Sequence, residues 1–210
     1  FKFIVEPIEF NKFTEKQVLQ YCLGGTLYMP GTKKIVDKIM DRALFGLTSM
    51  VMCFEDAIKE SDLGCAEENV LNHLEAISHA TNNGSISYDE IPLIFVRVRT
   101  VEQFNSFARK LSREQTQALT GFVFPKFYSQ NGYEYYRILS SLNDRYECSL
   151  YGMPILEGRA VAFKESRLDE LQKLLLIFRS FKNLTLNIRV GGTDFSSIFG
   201  VRRGINYSVY

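Results

Sequence analysis

Apolar runs that end in charge, each time at the carboxyl end, constrain the fold of this chain more than any other feature. Ser49-Met50-Val51-Met52-Cys53-Phe54 runs into Glu55-Asp56, and Pro92-Leu93-Ile94-Phe95-Val96 runs into Arg97-Val98-Arg99. Gly121-Phe122-Val123-Phe124-Pro125 ends at Lys126, Tyr151 to Leu156 at Glu157, and Leu186 to Thr193 at Asp194. Strands of a parallel sheet covered on both faces read as continuous hydrophobic segments. In folds built from such strands, ligands bind beyond the carboxyl ends. Charges of both signs gathered on that one rim point to an active site.

Helical patterns fill the intervals. They run from Thr14, a candidate cap, to Cys22; from Lys33 to Leu44; and from about Ala66 to Ala80, with Val70, Leu71, Leu74 and Ile77 at helical spacing. Others run from Val101 to Leu111, near Tyr133 to Leu142, and along Leu168, Leu171, Leu174, Leu175 and Phe178. A first strand over Gly25–Met29 and a sixth over Leu184–Val190 complete six strand-then-helix units, which imply a parallel α/β sheet with right-handed crossovers. An open dinucleotide-type sheet needs a glycine-rich turn after its first strand. Tyr28-Met29-Pro30-Gly31-Thr32 does not supply it, so a (β/α)8 TIM barrel is expected. A barrel needs eight strands. With six visible and no linkers or repeats, the expectation is a single barrel domain over residues 1–210, incomplete or truncated at its carboxyl end or shielded by a partner, since open strand edges are a liability.

Composition narrows the function. With 46% hydrophobic residues the chain can bury a sizeable core, and 25 basic against 24 acidic side chains give no electrostatic case for nucleic acid or an anionic membrane. No apolar run approaches the ~20 residues of a membrane helix, and Phe1–Phe10 lacks the pattern of a secretory leader. Because the chain begins without Met, a processed leader stays open. Cys22, Cys53, Cys65 and Cys148 lie far apart with no C-x-x-C spacing, so neither a disulfide framework nor a zinc site is expected, and a reducing cytoplasm is.

The candidate chemistry lies on the strand-end charges. Glu157 and Asp194 end consecutive strands, and neighbouring strands lie ~4.8 Å apart. The two carboxylates can therefore share one hard cation, with water and substrate oxygens completing a Mg2+ shell. The plain alternative is that each caps a helix or turn. Gly158 and Gly191-Gly192 leave backbone room for a ligand beside them. Strand alternation puts Arg97 and Arg99 on one side, where one of them clamps a carboxylate or polarises a carbonyl, or both join a structural network with Glu55 and Asp56. Lys126 either holds an anionic substrate, pairs with Glu55, or is simply solvated. His73 and His79 share no helix face, the aromatic residues read as packing, and Arg202-Arg203 reads as a solvated pair or a phosphate contact.

Taken in order, these segments resemble the citrate lyase β-subunit family, related to the HpcH/HpaI aldolases. Leu27-Tyr28-Met29-Pro30-Gly31 is similar to its F-V-P-G, Cys53-Phe54-Glu55-Asp56-Ala57-Ile58 to D-L-E-D-A-V, and Val96-Arg97-Val98-Arg99 to V-R-V-N. Val123-Phe124-Pro125-Lys126 is similar to V-L-P-K, Ile155-Leu156-Glu157-Gly158 to I-E-T, and Gly191-Gly192-Thr193-Asp194-Phe195 to G-x-x-D-F. The stretch from Leu156-Glu157 through Asp169-Glu170-Leu171 also resembles malate synthases. The resemblance spans about Gly25 to Gly200 and departs at Cys53, Arg99 and Gly158. It implies Mg2+ on Glu157 and Asp194, Arg97 on a keto-acid or enolate oxygen, and Glu55 and Asp56 supporting a metal-bound water. Lys33 and Lys34 are the basic residues near the first strand, where the family holds CoA.

The expectation is a cytoplasmic, homo-oligomeric, Mg2+-dependent carbon–carbon lyase with Arg97, Glu55, Asp56 and Lys126 as its working side chains. Its substrate would be a hydroxy acid or CoA ester, and its product an α-keto acid or acyl-CoA. The rival readings are a condensing enzyme of malate-synthase type and a decayed barrel that acts as a scaffold.

Overall fold

The computed structural model describes Glu6, residues 8–56 and residues 58–201. Arg202-Arg203 and Ala57 lie outside the described residues. The strand order is β1-β2-β3-β4-β5-β6 in sequence order. A doubly wound sheet reverses its order at a switch point. This sheet does not reverse, which excludes that alternative and matches the run of a barrel.

The chain divides into two compact units, one of residues 1–95 and 112–120 and the other of residues 96–111 and 121–210. The first holds α1 (Lys16–Leu19), β1 (Leu27–Pro30), α2 (Val36–Met40), β2 (Ser49–Cys53), α3 (Leu63–Asn82) and α5 (Arg113–Ala118). Strands β1 and β2 pair in parallel from Leu27↔Met50 to Pro30↔Cys53. All five residues of β2 are buried, as a strand covered on both faces requires. Edge strand β1 is half exposed. Helix α3 turns Val70, Leu74 and Ile77 of the predicted stripe inward together with Ala66, while Leu71 is only half-buried at the edge of that face. It meets α5, where Gln115 Nε2 donates to the Leu71 carbonyl at 3.3 Å. Helix α5 carries a capping box at Ser112 and Gln115 that the apolar pattern alone does not reveal.

The second unit contains the end of β3 (Leu93–Arg97), then α4 (Val101–Lys110), β4 (Gly121–Phe124), α6 (Gly132–Tyr146) and β5 (Tyr151–Leu156). It continues through α7 (Arg159–Ala162), α8 (Lys164–Ser180), β6 (Arg189–Val190) and α9 (Gly192–Ile198). Parallel pairing joins Gly121↔Tyr151 through Phe124↔Pro154, then Ile155↔Arg189 and Leu156↔Val190. Aromatic rings fill this core. Phe124 stacks on Tyr135 at 4.6 Å and meets Tyr136 edge-on at 5.6 Å. Gly152 makes room for them, because a Cβ there would stand 2.5 Å from the Phe124 ring.

Several expectations move. Helix α1 is one turn long, and Thr14 does not cap it: its hydroxyl accepts the Asn11 N–H instead. Helix α2 covers only the middle of its predicted span. Strand β6 shrinks to two residues, with one isolated bridge, Gly152↔Thr185, upstream. The leucine stripe of α8 is divided: Leu174 and Ile177 are buried, while Leu168 is 70% and Leu175 45% exposed. At about 100° per residue, Leu168 lies about 120° around the helix from Leu174, too far to share its face. Among the described residues, no helix is long and apolar enough to cross a membrane.

Candidate active site

Strand β5 delivers Glu157 to the position immediately beyond its last residue, where it is buried. A carboxylate at that depth must be met by donors. The Lys126 backbone N–H donates to Glu157 Oε1 at 2.7 Å, and the Arg97 Nη2 lies 3.7 Å from the same oxygen. Arg97 is the last residue of β3 and is itself buried, so its charge faces a carboxylate, as burial demands. Arg97, Lys126 and Glu157 are thus joined across three strand ends of the second unit.

The Lys126 donor to Glu157 is its backbone N–H. Its φ of +46° lies in the left-handed region, which turns its N–H toward Glu157 while the side chain stays exposed. Asn131 holds the loop in that shape: its Nδ2 donates to the Lys126 carbonyl at 3.1 Å, and its Oδ1 accepts the Tyr128 N–H at 2.8 Å. Ser129 is fastened by Glu170, which accepts from its backbone N–H at 2.7 Å and its hydroxyl at 2.8 Å. Phe127 between them is buried.

Of the three glycines read as backbone room for a ligand, Gly158 and Gly191 are instead filled by side chains. A Cβ on Gly191 would lie 2.3 Å from Glu157 Oε2, so this glycine admits the Glu157 carboxylate. A Cβ on Gly158 would lie 2.1 Å from the Tyr128 hydroxyl oxygen. Tyr128 was not among the residues expected at the site, although a signal was there: it stands two residues past Lys126 in a loop at a strand's carboxyl end. Its hydroxyl is held protonated above the usual tyrosine range, first by burial and then by the Glu157 carboxylate, with Lys126 opposing and Asp194 and Glu170 adding to the rise.

Asp194 does not end a strand. It sits in the first turn of α9, half-buried, where a carboxylate suits the positive end of a helix. Arg99 also departs from expectation. Strand β3 stops at Arg97, so alternation no longer orients Arg99, whose backbone N–H donates to Gln103 Oε1 at 2.9 Å.

In the first unit, Glu55 comes after β2 and is buried, with its N–H on the Cys53 sulfur at 3.4 Å, and Asp56 is exposed. Lys33 and Lys34 are exposed on the loop after β1, which Asn69 of α3 fastens through the Gly31 carbonyl at 2.6 Å and the Lys33 carbonyl at 3.2 Å. Gly31 is packed against Phe54, whose ring would stand 2.9 Å from a Cβ there. His73 is buried in α3 and His79 is exposed on it.

For a cation, the donor set is decisive. No group of three His, Cys, Asp or Glu side chains suited to a metal occurs among the described residues. Two carboxylates, one of them buried and oriented, fit Mg2+, which keeps most of its shell as water and substrate oxygen.

Residues 17–210 match the family described as C–C bond lyase of the TIM-barrel fold. This chain belongs to that family. No curated protein matches it. Among solved structures, the family fold returns in the magnesium/glyoxylate complex of Haloferax volcanii malate synthase, at 13% identity and a TM-score of 0.61, over 85% of this chain and 54% of that one. The pyruvate/acetyl-CoA ternary complex of the same enzyme matches at 14% identity and a TM-score of 0.60, over 85% and 50%. An HpcH/HpaI aldolase/citrate lyase family protein from Burkholderia cenocepacia J2315 matches at 13% identity and a TM-score of 0.55, over 92% and 75%. The chain spans about half the length of the malate synthase chains it matches. At these identities the likeness shows the fold, and the TIM barrel expected from the strand series is the fold of the family.

Proposed function

We propose that Glu157 and Asp194 hold Mg2+ and that the protein is a carbon–carbon lyase acting on a hydroxy acid or its CoA ester, with an α-keto acid or acyl-CoA among its products. The observation that carries this reading is Glu157: a buried carboxylate aimed by the Lys126 N–H and faced by Arg97 beyond the end of β5. Such a group costs free energy to bury, and an oriented carboxylate at a strand end is what a hard cation needs. The cation, when bound, supplies Lewis-acid polarisation of carboxylate and carbonyl oxygens.

The chain's own residues bind and orient. Arg97 has five N–H donors in a planar fork. It can face Glu157 and still give charge-assisted hydrogen bonds to an oxygen on which charge develops. In the cleavage, the substrate hydroxyl loses its proton and becomes a carbonyl. The electron pair of the breaking C–C bond passes to the departing fragment as an enolate, which then takes up a proton. Lys126, with its exposed ammonium, is assigned to a substrate carboxylate.

Calorimetric titration with Mg2+, and then with oxalate as an enolate mimic, tests the reading. Oxalate binding that requires Mg2+ supports it, and no binding of either supports the scaffold alternative. Incubation with glyoxylate and an acyl-CoA tests the condensing direction, which the malate synthase likeness in fold makes worth separating. Formation of a hydroxy-acyl product would place the chain with condensing enzymes.

A further inference from the structure

Gly158 has φ −100° and ψ 168°, an extended backbone open to any residue, so conformation does not explain a glycine here. Sterics do. Beyond the hydroxyl oxygen at 2.1 Å, a Cβ at this position would meet Tyr128 Cε1 at 2.2 Å and Cζ at 2.4 Å. No real Cβ tolerates such contacts, so a side chain at 158 requires the Tyr128 ring to move. The main chain that carries the ring is fixed: the Tyr128 N–H is fastened to Asn131, its neighbour Ser129 is fastened twice to Glu170, and its neighbour Phe127 is buried in an aromatic stack with Phe124 and Tyr135. On that loop the phenol ring stands over Gly158. This places a hydroxyl next to the residue after Glu157.

A phenol is an expensive way to fill space at a rim: an apolar ring would pack as well and demand no partner. Its hydroxyl end lies over Gly158, the residue after Glu157, and a substrate oxygen drawn to a cation on Glu157 would arrive beside it. We propose that Tyr128 is a substrate-binding residue of this site, donating its hydroxyl hydrogen to a carboxylate or carbonyl oxygen of the bound acid, and that Gly158 is the residue that admits it. The two positions form a pair, because with the ring at 128 position 158 has room only for hydrogen. This rests on the Mg2+ and keto-acid reading above. It also bounds the substrate, because the volume over Gly158 is taken by the ring and is closed to any branch on the acid.

Four variants of the full chain test the pair, with oxalate titrated in saturating Mg2+, Mg2+ titrated alone, and thermal melts without metal. Tyr128→Phe keeps the ring and loses the donor. It is expected to weaken oxalate by about tenfold, the value of one hydrogen bond to a charged acceptor, while leaving Mg2+ affinity within about twofold and the melt unchanged. Gly158→Ser alone forces the ring aside, so a lower melting temperature and weakened oxalate are expected. Tyr128→Ala vacates the space, and Tyr128→Ala/Gly158→Ser returns a hydroxyl to it. The double variant is expected to melt no lower than Tyr128→Ala and to recover part of the oxalate affinity.

If the unaltered chain binds Mg2+ and oxalate and Tyr128→Phe binds oxalate equally well, the donor role is overturned and the lyase reading stands. Should the double variant bind no better than Tyr128→Ala, the pairing fails. Absence of Mg2+-dependent oxalate binding by the unaltered chain overturns the underlying reading and the donor role with it.

Discussion

Glu157 and Asp194 carry the same charge one strand-helix unit apart, yet the fold treats them differently. Glu157 comes directly after β5, a six-residue strand paired on both sides, and it is buried with one oxygen fixed by a backbone donor. Asp194 comes after β6, which is two residues long, and stands half-buried in the first turn of a seven-residue helix. A long, doubly paired strand fixes the residue at its exit; a two-residue edge strand fixes little. Glu157 is therefore held by the scaffold, while Asp194 is less enclosed.

The largest effect is expected at the fixed member. Glu157→Gln keeps an oxygen for the Lys126 N–H but leaves buried Arg97 facing a neutral amide. Breaking a buried pair from one side costs about 3 kcal/mol. We expect a fall in melting temperature of roughly 6–12 °C for a chain of this size, together with loss of measurable Mg2+ binding. A melt unchanged beside lost Mg2+ would mean that Glu157 is no more structural than Asp194, and the contrast would break.

Gly191→Ala attacks the space that Glu157 occupies, since its new Cβ would lie 2.5 Å from the Glu157 Cβ. Overpacking of this kind costs about 1–3 kcal/mol. The lower melt should come with weaker Mg2+ binding, because the carboxylate must shift. Thermal melts and calorimetry on the same sample decide it, and normal values in both would show that β6 simply moves away.

Asp194→Asn is expected to weaken Mg2+ by roughly tenfold, as a site of few protein ligands loses one charge. Its melt should stay within about 0.5 kcal/mol of the unaltered chain, the usual range for partly exposed substitutions. Unchanged Mg2+ affinity would remove Asp194 from the site. The smallest effect is expected from Lys126→Gly. Glycine adopts the +46° φ without the penalty an L-residue carries there, and the backbone N–H is retained. Mg2+ affinity should change by no more than about threefold, and the melt should hold or rise slightly. A large loss of Mg2+ would show that the ammonium, rather than the backbone, positions Glu157.

Much of this was legible in the chain. The runs ending at Glu55, Arg97, Lys126 and Glu157 became β2, β3, β4 and β5, because a strand buried on both faces has to be apolar throughout and the first charge after it marks the exit from the core. The run toward Asp194 misled, because Asn187 and Arg189 interrupt its apolar pattern and only Arg189–Val190 pair as strand. The leucines of α8 misled for a different reason: Leu168 and Leu175 lie too far around the helix from Leu174 to share its buried face.

The sequence by itself determined the strand series, the fold class and the identity of the charged residues at the strand ends, since these arise from local pattern and from where charge is tolerated. The tertiary structure alone decided how those residues are used. That the Lys126 backbone N–H meets Glu157 depends on a loop with a left-handed φ that Asn131 holds. That Gly158 and Gly191 admit Tyr128 and Glu157, rather than a ligand, depends on atoms brought within 2–3 Å of positions 30 or more residues away in sequence. A glycine in a sequence announces absent volume; only packing reveals which group has taken it.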